Sequence, residues 1–142
     1  REERCRNDVL LTDLPQFVPL LEKNLEENRD RLRGKASVRT LEWGAPSHND
    51  MVAPDIMLIS ECVYYEKAVD PLLKTMTELC GPTTEILVSY EDRDNEANSA
   101  AVARFLRGCR QHFLVEEVPS KEQHPDFSSH DIHILRLRPI KK

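Results

Sequence analysis

Glycine is scarce in this sequence. There are four in 142 residues, Gly34, Gly44, Gly81 and Gly108, and none forms G-x-G-x-x-G. These residues therefore hold no loop of the kind that lets backbone approach a nucleotide phosphate closely at a strand–helix turn. Cysteine is sparse too. Cys5, Cys62, Cys80 and Cys109 make no C-x-x-C pair, so they offer neither a zinc set nor a disulfide frame and read as reduced thiols packed as small hydrophobes. No apolar run approaches the roughly 18 residues that a membrane helix needs. Residues 1–4, Arg-Glu-Glu-Arg, lead into no apolar segment of the signal-peptide type. A basic face is also missing: the formal net charge is −5 and the two signs are interleaved, which argues against a nucleic-acid binder. G-x-S-x-G, H-E-x-x-H and P-loop patterns do not occur. What is left is a soluble, ordered, cytoplasmic and monomeric protein. A protein or peptide partner suits it better than nucleic acid or membrane.

What is present is a series of short apolar runs alternating with helical spacings. Residues 8–12 read as a buried strand that stops at Asp13. Pro15 suits the first turn of the next helix, with Thr12 and Asp13 as possible caps; Phe17, Leu20, Leu21 and Leu25 mark its face. Residues 37–42 alternate and read as a second strand, broken by Gly44-Ala45-Pro46-Ser47. Residues 55–60 form a continuous apolar run, the pattern of a strand covered on both faces. Val69, Leu72, Leu73, Met76 and Leu79 give a helix with Pro71 in its first turn and Gly81-Pro82 at its end. Residues 86–90 are a further buried strand. Ala101, Val102, Phe105, Leu106 and Cys109 give a third helix face, and 113–118 and 132–137 two closing strands across a polar loop. The order β-α-β-β-α-β-α-β-β predicts an α/β fold. Its sheet is mostly parallel, has helices on both faces, and ends in an antiparallel hairpin at one edge.

Ligands of open α/β sheets bind beyond the carboxyl ends of the strands. Asp13 follows the first strand, Glu42 and Trp43 the second, Glu61 and Tyr64 the third, and Glu91 the fourth, with Arg93 two residues on. Each has a plainer reading beside the functional one. Asp13 is a helix cap, or a carboxylate that takes both hydroxyls of a ribose, or both. Trp43, the only tryptophan, is a core residue or the wall of an adenine pocket. Glu61 and Glu91 are solvated loop acids or the lining of a crevice. His130-Asp131-x-His133 resembles a metal set, but it opens a strand. There the two imidazoles would project to opposite faces, so no metal site is assigned.

Val9-Leu10-Leu11-Thr12-Asp13-Leu14, Leu41-Glu42-Trp43-Gly44, Ser60-Glu61-Cys62-Val63-Tyr64-Tyr65-Glu66 and Ser89-Tyr90-Glu91-x-Arg93, in that order, resemble the seven-strand (class I) protein-lysine methyltransferases. The likeness leans toward the branch acting on valosin-containing protein, an AAA ATPase. It extends through Pro71-Leu72-Leu73-Lys74-Thr75 and Asp131-Ile132-His133-Ile134. The resemblance implies a Rossmann-like methyltransferase sheet and S-adenosyl-L-methionine (SAM) as cofactor. It also implies a lysine of a protein substrate, such as that ATPase, as methyl acceptor. Asp13, Leu14, Glu42 and Trp43 would bind the cofactor, Asp13 at the ribose and Trp43 by the adenine. Glu61 and Tyr64 would form the family's acid-x-x-aromatic motif at the lysine channel and carry catalysis. The family usually has Asp at the first of these positions, so the carboxylate here stands one methylene further out. Glu91 and Arg93 would lie beside the substrate.

The resemblance also makes residues 1–142 the C-terminal part of a single methyltransferase domain that lacks the first strand, glycine loop and first helix. On that expectation these residues alone bind SAM weakly or not at all. Two rival readings stay open: a catalytically inactive, methyltransferase-like protein-binding module, and an NAD-dependent domain, which also carries an acid after its second strand.

Overall fold

The computed structural model describes residues 8–46, 50–93 and 95–140. The expectations attached to residues 1–4, to Cys5 and to Ser47 lie outside these. The elements are β1 (Asp8–Asp13), α1 (Val18–Glu27), β2 (Lys35–Thr40), β3 (Ile56–Ser60), α2 (Glu66–Leu79), β4 (Glu85–Glu91), α3 (Glu96–His112), β5 (Phe113–Glu117) and β6 (Ile132–Pro139). Their order is the one the hydrophobic periodicities predict. The chain divides into two compact units, Arg1–Ser47 and His48–Lys142.

In the first unit β1 and β2 pair in parallel, from Asp8 opposite Lys35 to Asp13 opposite Thr40, so their carboxyl ends are level. Strand β2 begins and ends two residues earlier than its alternation suggests. The Leu41 N–H donates to the Asp13 carbonyl (2.9 Å), and the chain then turns, with Ala45 N–H on the Glu42 carbonyl (3.3 Å). Gly44 has φ 79° at the third position of that turn, where a side chain would be strained. The start of α1 corrects the sequence expectation. Pro15 is not in the helix: it sits second in a turn closed by Phe17 N–H on the Leu14 carbonyl (2.9 Å), the position where its fixed φ is an advantage. Pro19 takes the first helical turn instead. Phe17 is the N-cap without a side-chain bond, so neither Thr12 nor Asp13 caps this helix.

In the second unit the strand order is β3-β4-β6-β5. Strands β3 and β4 are parallel, and β6 is antiparallel to both β4 and β5. Three strands therefore run one way and β6 alone is reversed. The expected hairpin is present, but its last strand is inserted between β4 and β5 and leaves β5 at the edge. Helices α2 and α3 pack on one another and against one face of this sheet. Ile86, Val88, Leu135 and Leu137 of the sheet and Val69, Met76, Phe105 and Cys109 of the helices are all at most 3% exposed. The helices approach closely at Gly108, where a Cβ would run into Leu73.

The run 55–60 was expected to be covered on both faces. Among the described residues only one face is: Ile59 is buried, while Ile56 is 60% and Leu58 74% exposed. A continuous apolar run does not say how many faces are covered. Pro71 is likewise not in the first turn of α2 but at its sixth residue, because the helix already begins at Glu66. His130 precedes β6. His133, inside the strand, stacks on Tyr90 with centroids 5.2 Å apart and has Nδ1 2.8 Å from Glu117 Oε1.

Candidate active site

Each unit carries its own group of candidate residues at the carboxyl ends of its parallel strands. In the first unit Asp13 ends β1 and is exposed. Its Oδ1 accepts the Leu14 N–H (2.7 Å), a bond that fixes the carboxylate and leaves its remaining acceptor positions open. Leu14 is 37% exposed beside it. Glu42 and Trp43 fall in the turn that follows β2. Glu42 is exposed and Trp43 half-buried, so the indole belongs wholly neither to the core nor to the surface. The level register of β1 and β2 brings these four residues to one end of the two-stranded sheet.

In the second unit Glu61 follows β3 directly and has φ 53°, the only non-glycine residue with positive φ among those described. A left-handed backbone at such a residue costs on the order of 1–2 kcal/mol. It is held there by its N–H on the Ser89 carbonyl of β4 (3.0 Å), and the turn redirects the chain out of the strand. Three residues on, Tyr64 is 44% exposed and meets the Tyr65 ring edge-on, centroids 4.6 Å apart. Tyr65 is the N-cap of α2.

Arg93 ties this turn to the end of β4. Its Nε donates to Glu91 Oε2 (2.8 Å) and its Nη2 to Glu61 Oε2 (3.2 Å). The three side chains are 40–46% exposed, so solvent screens the pairs and they position the groups more than they stabilise the fold. The hydrogen bond to Glu91, then its charge, then Glu61, hold the guanidinium pKa above its ordinary value. The structure thus brings Glu61, Glu91 and Arg93 into one cluster of net charge −1.

Asn98 was missed by sequence reasoning and organises this end. It is 4% exposed. Its Oδ1 accepts the Arg93 N–H (3.1 Å) and its Nδ2 donates to the Val63 carbonyl (3.3 Å). One side chain therefore holds both the Glu61–Tyr64 segment and the Arg93 segment. Asn95 caps α3 by accepting the Asn98 N–H (2.8 Å). The Asn95-Glu96 sequence carried that cap signal; nothing in the sequence marked Asn98. Among the described residues no group of His, Cys, Asp and Glu is placed to hold a metal, and no helix is long and apolar enough to cross a membrane.

Residues 2–107 match the lysine methyltransferase family. The chain belongs to that family. It is 27% identical over 140 residues to protein-lysine N-methyltransferase EFM6 of Saccharomyces cerevisiae, covering 91% of this chain and 54% of that protein. It is 32% identical over 85 residues to EEF1A lysine methyltransferase 3 of Xenopus tropicalis, covering 60% of this chain and 38% of that protein. The chain thus spans about half the length, or less, of these curated relatives. Among solved structures, human N-acetylserotonin methyltransferase in complex with SAM superposes with a TM-score of 0.60 at 10% identity, over 93% of this chain and 40% of that one. The fold of this lysine methyltransferase family member is the Rossmann-like fold of class I methyltransferases.

Proposed function

We propose that the protein carrying this chain transfers the methyl group of SAM to a lysine amine of a protein substrate. The observation that carries the reading is the half-exposed Glu61 carboxylate. It stands on a left-handed turn at the end of β3, three residues before Tyr64, in a chain of the lysine methyltransferase family. The residues of the first unit fit the cofactor. Asp13 offers acceptor positions for two ribose hydroxyls, and the half-buried Trp43 offers a flat apolar surface for an adenine, with Leu14 and Glu42 beside them. When bound, SAM supplies an electrophilic methyl on a sulfonium.

The chain's own task is to present the amine. A free lysine has pKa ~10.4, so holding it neutral at pH 7 costs roughly 4.6 kcal/mol. A carboxylate beside it favours the ammonium and adds to that cost, so Glu61 is assigned to binding and orienting the ammonium rather than to removing its proton. Tyr64 shapes the channel, and the proton leaves to water. Alignment of the amine is the main catalytic contribution, for which about 7–11 kcal/mol is available in intramolecular reactions. Glu91 and Arg93 are assigned to the substrate side. The domain is read as one methyltransferase domain. The protein is read as a cytoplasmic monomer, where the thiols of Cys62, Cys80 and Cys109 stay reduced.

The substrate has two candidates. The motif series leans to valosin-containing protein, while the name of one relative, EEF1A lysine methyltransferase 3, points to EEF1A. The test is transfer of label from tritiated SAM to each purified protein, followed by mass mapping of the modified residue. Label on a lysine supports the reading. Absence of transfer with both, while either protein binds tightly, would make this a binding module instead.

A further inference from the structure

The cluster of Glu61, Glu91 and Arg93 has a consequence for lysine deprotonation. Two carboxylates at the ends of β3 and β4 would bind an ammonium well and would also hold its proton, which opposes the reaction. Arg93 reaches both of them from a fixed backbone. Its N–H is on Asn98 Oδ1 (3.1 Å), and its carbonyl accepts the Asn95 N–H (2.7 Å). The planar guanidinium spans the pair as a fork, Nε to Glu91 and Nη2 to Glu61, which a flexible ammonium does not do equally well.

We propose that Arg93 is a positioning residue acting through Glu61. It holds the Glu61 carboxylate in place before substrate arrives, and it leaves the pair of acids with one net negative charge, enough to seat a lysine and not enough to trap its proton. This rests on the reading of Glu61 as the ammonium seat. The other charged groups on the elements packed here are partly committed. Glu66 of α2 is engaged by Arg104 (3.2 Å), and the Asp131 carboxylate before β6 takes the Ser129 hydroxyl. Asp92 and Glu96, on β4's exit and α3's first turn, are exposed. Arg93 is thus the cation that both acids share.

The test is the pH dependence of kcat and the KM for the protein substrate in the protein carrying this chain. In Arg93→Gln the kinetic pKa should rise by about one unit, and kcat at pH 7 should fall by about the tenfold that one unit represents. Arg93→Lys, which keeps the charge but not the fork, is expected to restore the pH profile while kcat stays below wild type. An unshifted profile in Arg93→Gln, or a shift that Arg93→Lys does not reverse, would overturn the proposal and leave Arg93 a plain contact residue. Glu61→Gln separates the two levels. A raised substrate KM there keeps the seat assignment whatever Arg93 does. An unchanged KM removes the seat itself and the proposal with it.

Discussion

Replacing Asn98 with alanine should unlatch the amine end of the site. The side chain is 4% exposed and bonds two backbone groups, the Arg93 N–H (3.1 Å) and the Val63 carbonyl (3.3 Å). Alanine satisfies neither. A polar group left unpaired in a buried position costs about 1–3 kcal/mol, and two of them bound the loss at roughly 2–6. The Val63 carbonyl is buried, while the part-buried Arg93 N–H can be reached by water. Alanine also regains a few tenths of a kcal/mol of helix propensity, so we expect about 2–4 kcal/mol. With a urea m-value of about 2 kcal/mol/M, the unfolding midpoint should fall by about 1–2 M. Asn98→Asp keeps the acceptor for Arg93 but sets a buried carboxylate oxygen against the Val63 carbonyl, so despite its place in the first turn of α3 it should lose at least as much. A loss under about 0.5 kcal/mol in Asn98→Ala, the size of an ordinary surface change, would refute the assignment of Asn98 as the clasp.

Gly108→Ala puts a methyl into Leu73 at the α2–α3 crossing, where Leu73 is 8% exposed and has little room to move; we expect a loss of about 1–3 kcal/mol in the same urea assay. Cys109 gives a pH dependence. Burial pushes its thiol from 9.0 up to about 12. Since the folded pKa is the higher one, the neutral thiol's stabilisation is fully present below pH 9 and is lost as pH rises from 9 through 12. The slope is about 1.4 kcal/mol per pH unit. Urea midpoints at pH 8 and pH 10.5 should therefore fall further in wild type than in Cys109→Ala; equal falls would contradict the burial argument.

Much of the fold was legible because periodicity is local. The apolar runs of β3 and β4 and the spacing of Val69, Leu72, Met76 and Leu79 specify their elements without reference to the rest of the chain. What failed depended on competition between neighbours or on distant pairing. Pro15 and Pro19 both suit a helix start, and only the turn closed by Phe17 on Leu14 decides between them. The insertion of β6 between β4 and β5 is set by a register no local pattern carries. The end of β2, before Trp43, was two residues off, but those of β1, β3 and β4 were legible to within a residue, and with them Asp13, Glu61 and Glu91. The positive φ of Glu61 and the Arg93 bridge were not, because both depend on β3 lying beside β4. Asn98 is a polar residue that reads as surface until its two backbone partners are seen.

The division of labour between the two strand-end groups can be measured directly by titrating SAM and the protein substrate separately against Asp13→Ala and Glu61→Gln in the protein carrying this chain. Asp13→Ala should weaken SAM binding by about 3–6 kcal/mol, the loss of two hydrogen bonds to a charged acceptor at about 1.5–3 each, and leave substrate affinity unchanged. Glu61→Gln should weaken the substrate and spare SAM. Both variants losing the same ligand, or neither losing any, would contradict the assignment of β1's end to the nucleoside and β3's end to the amine.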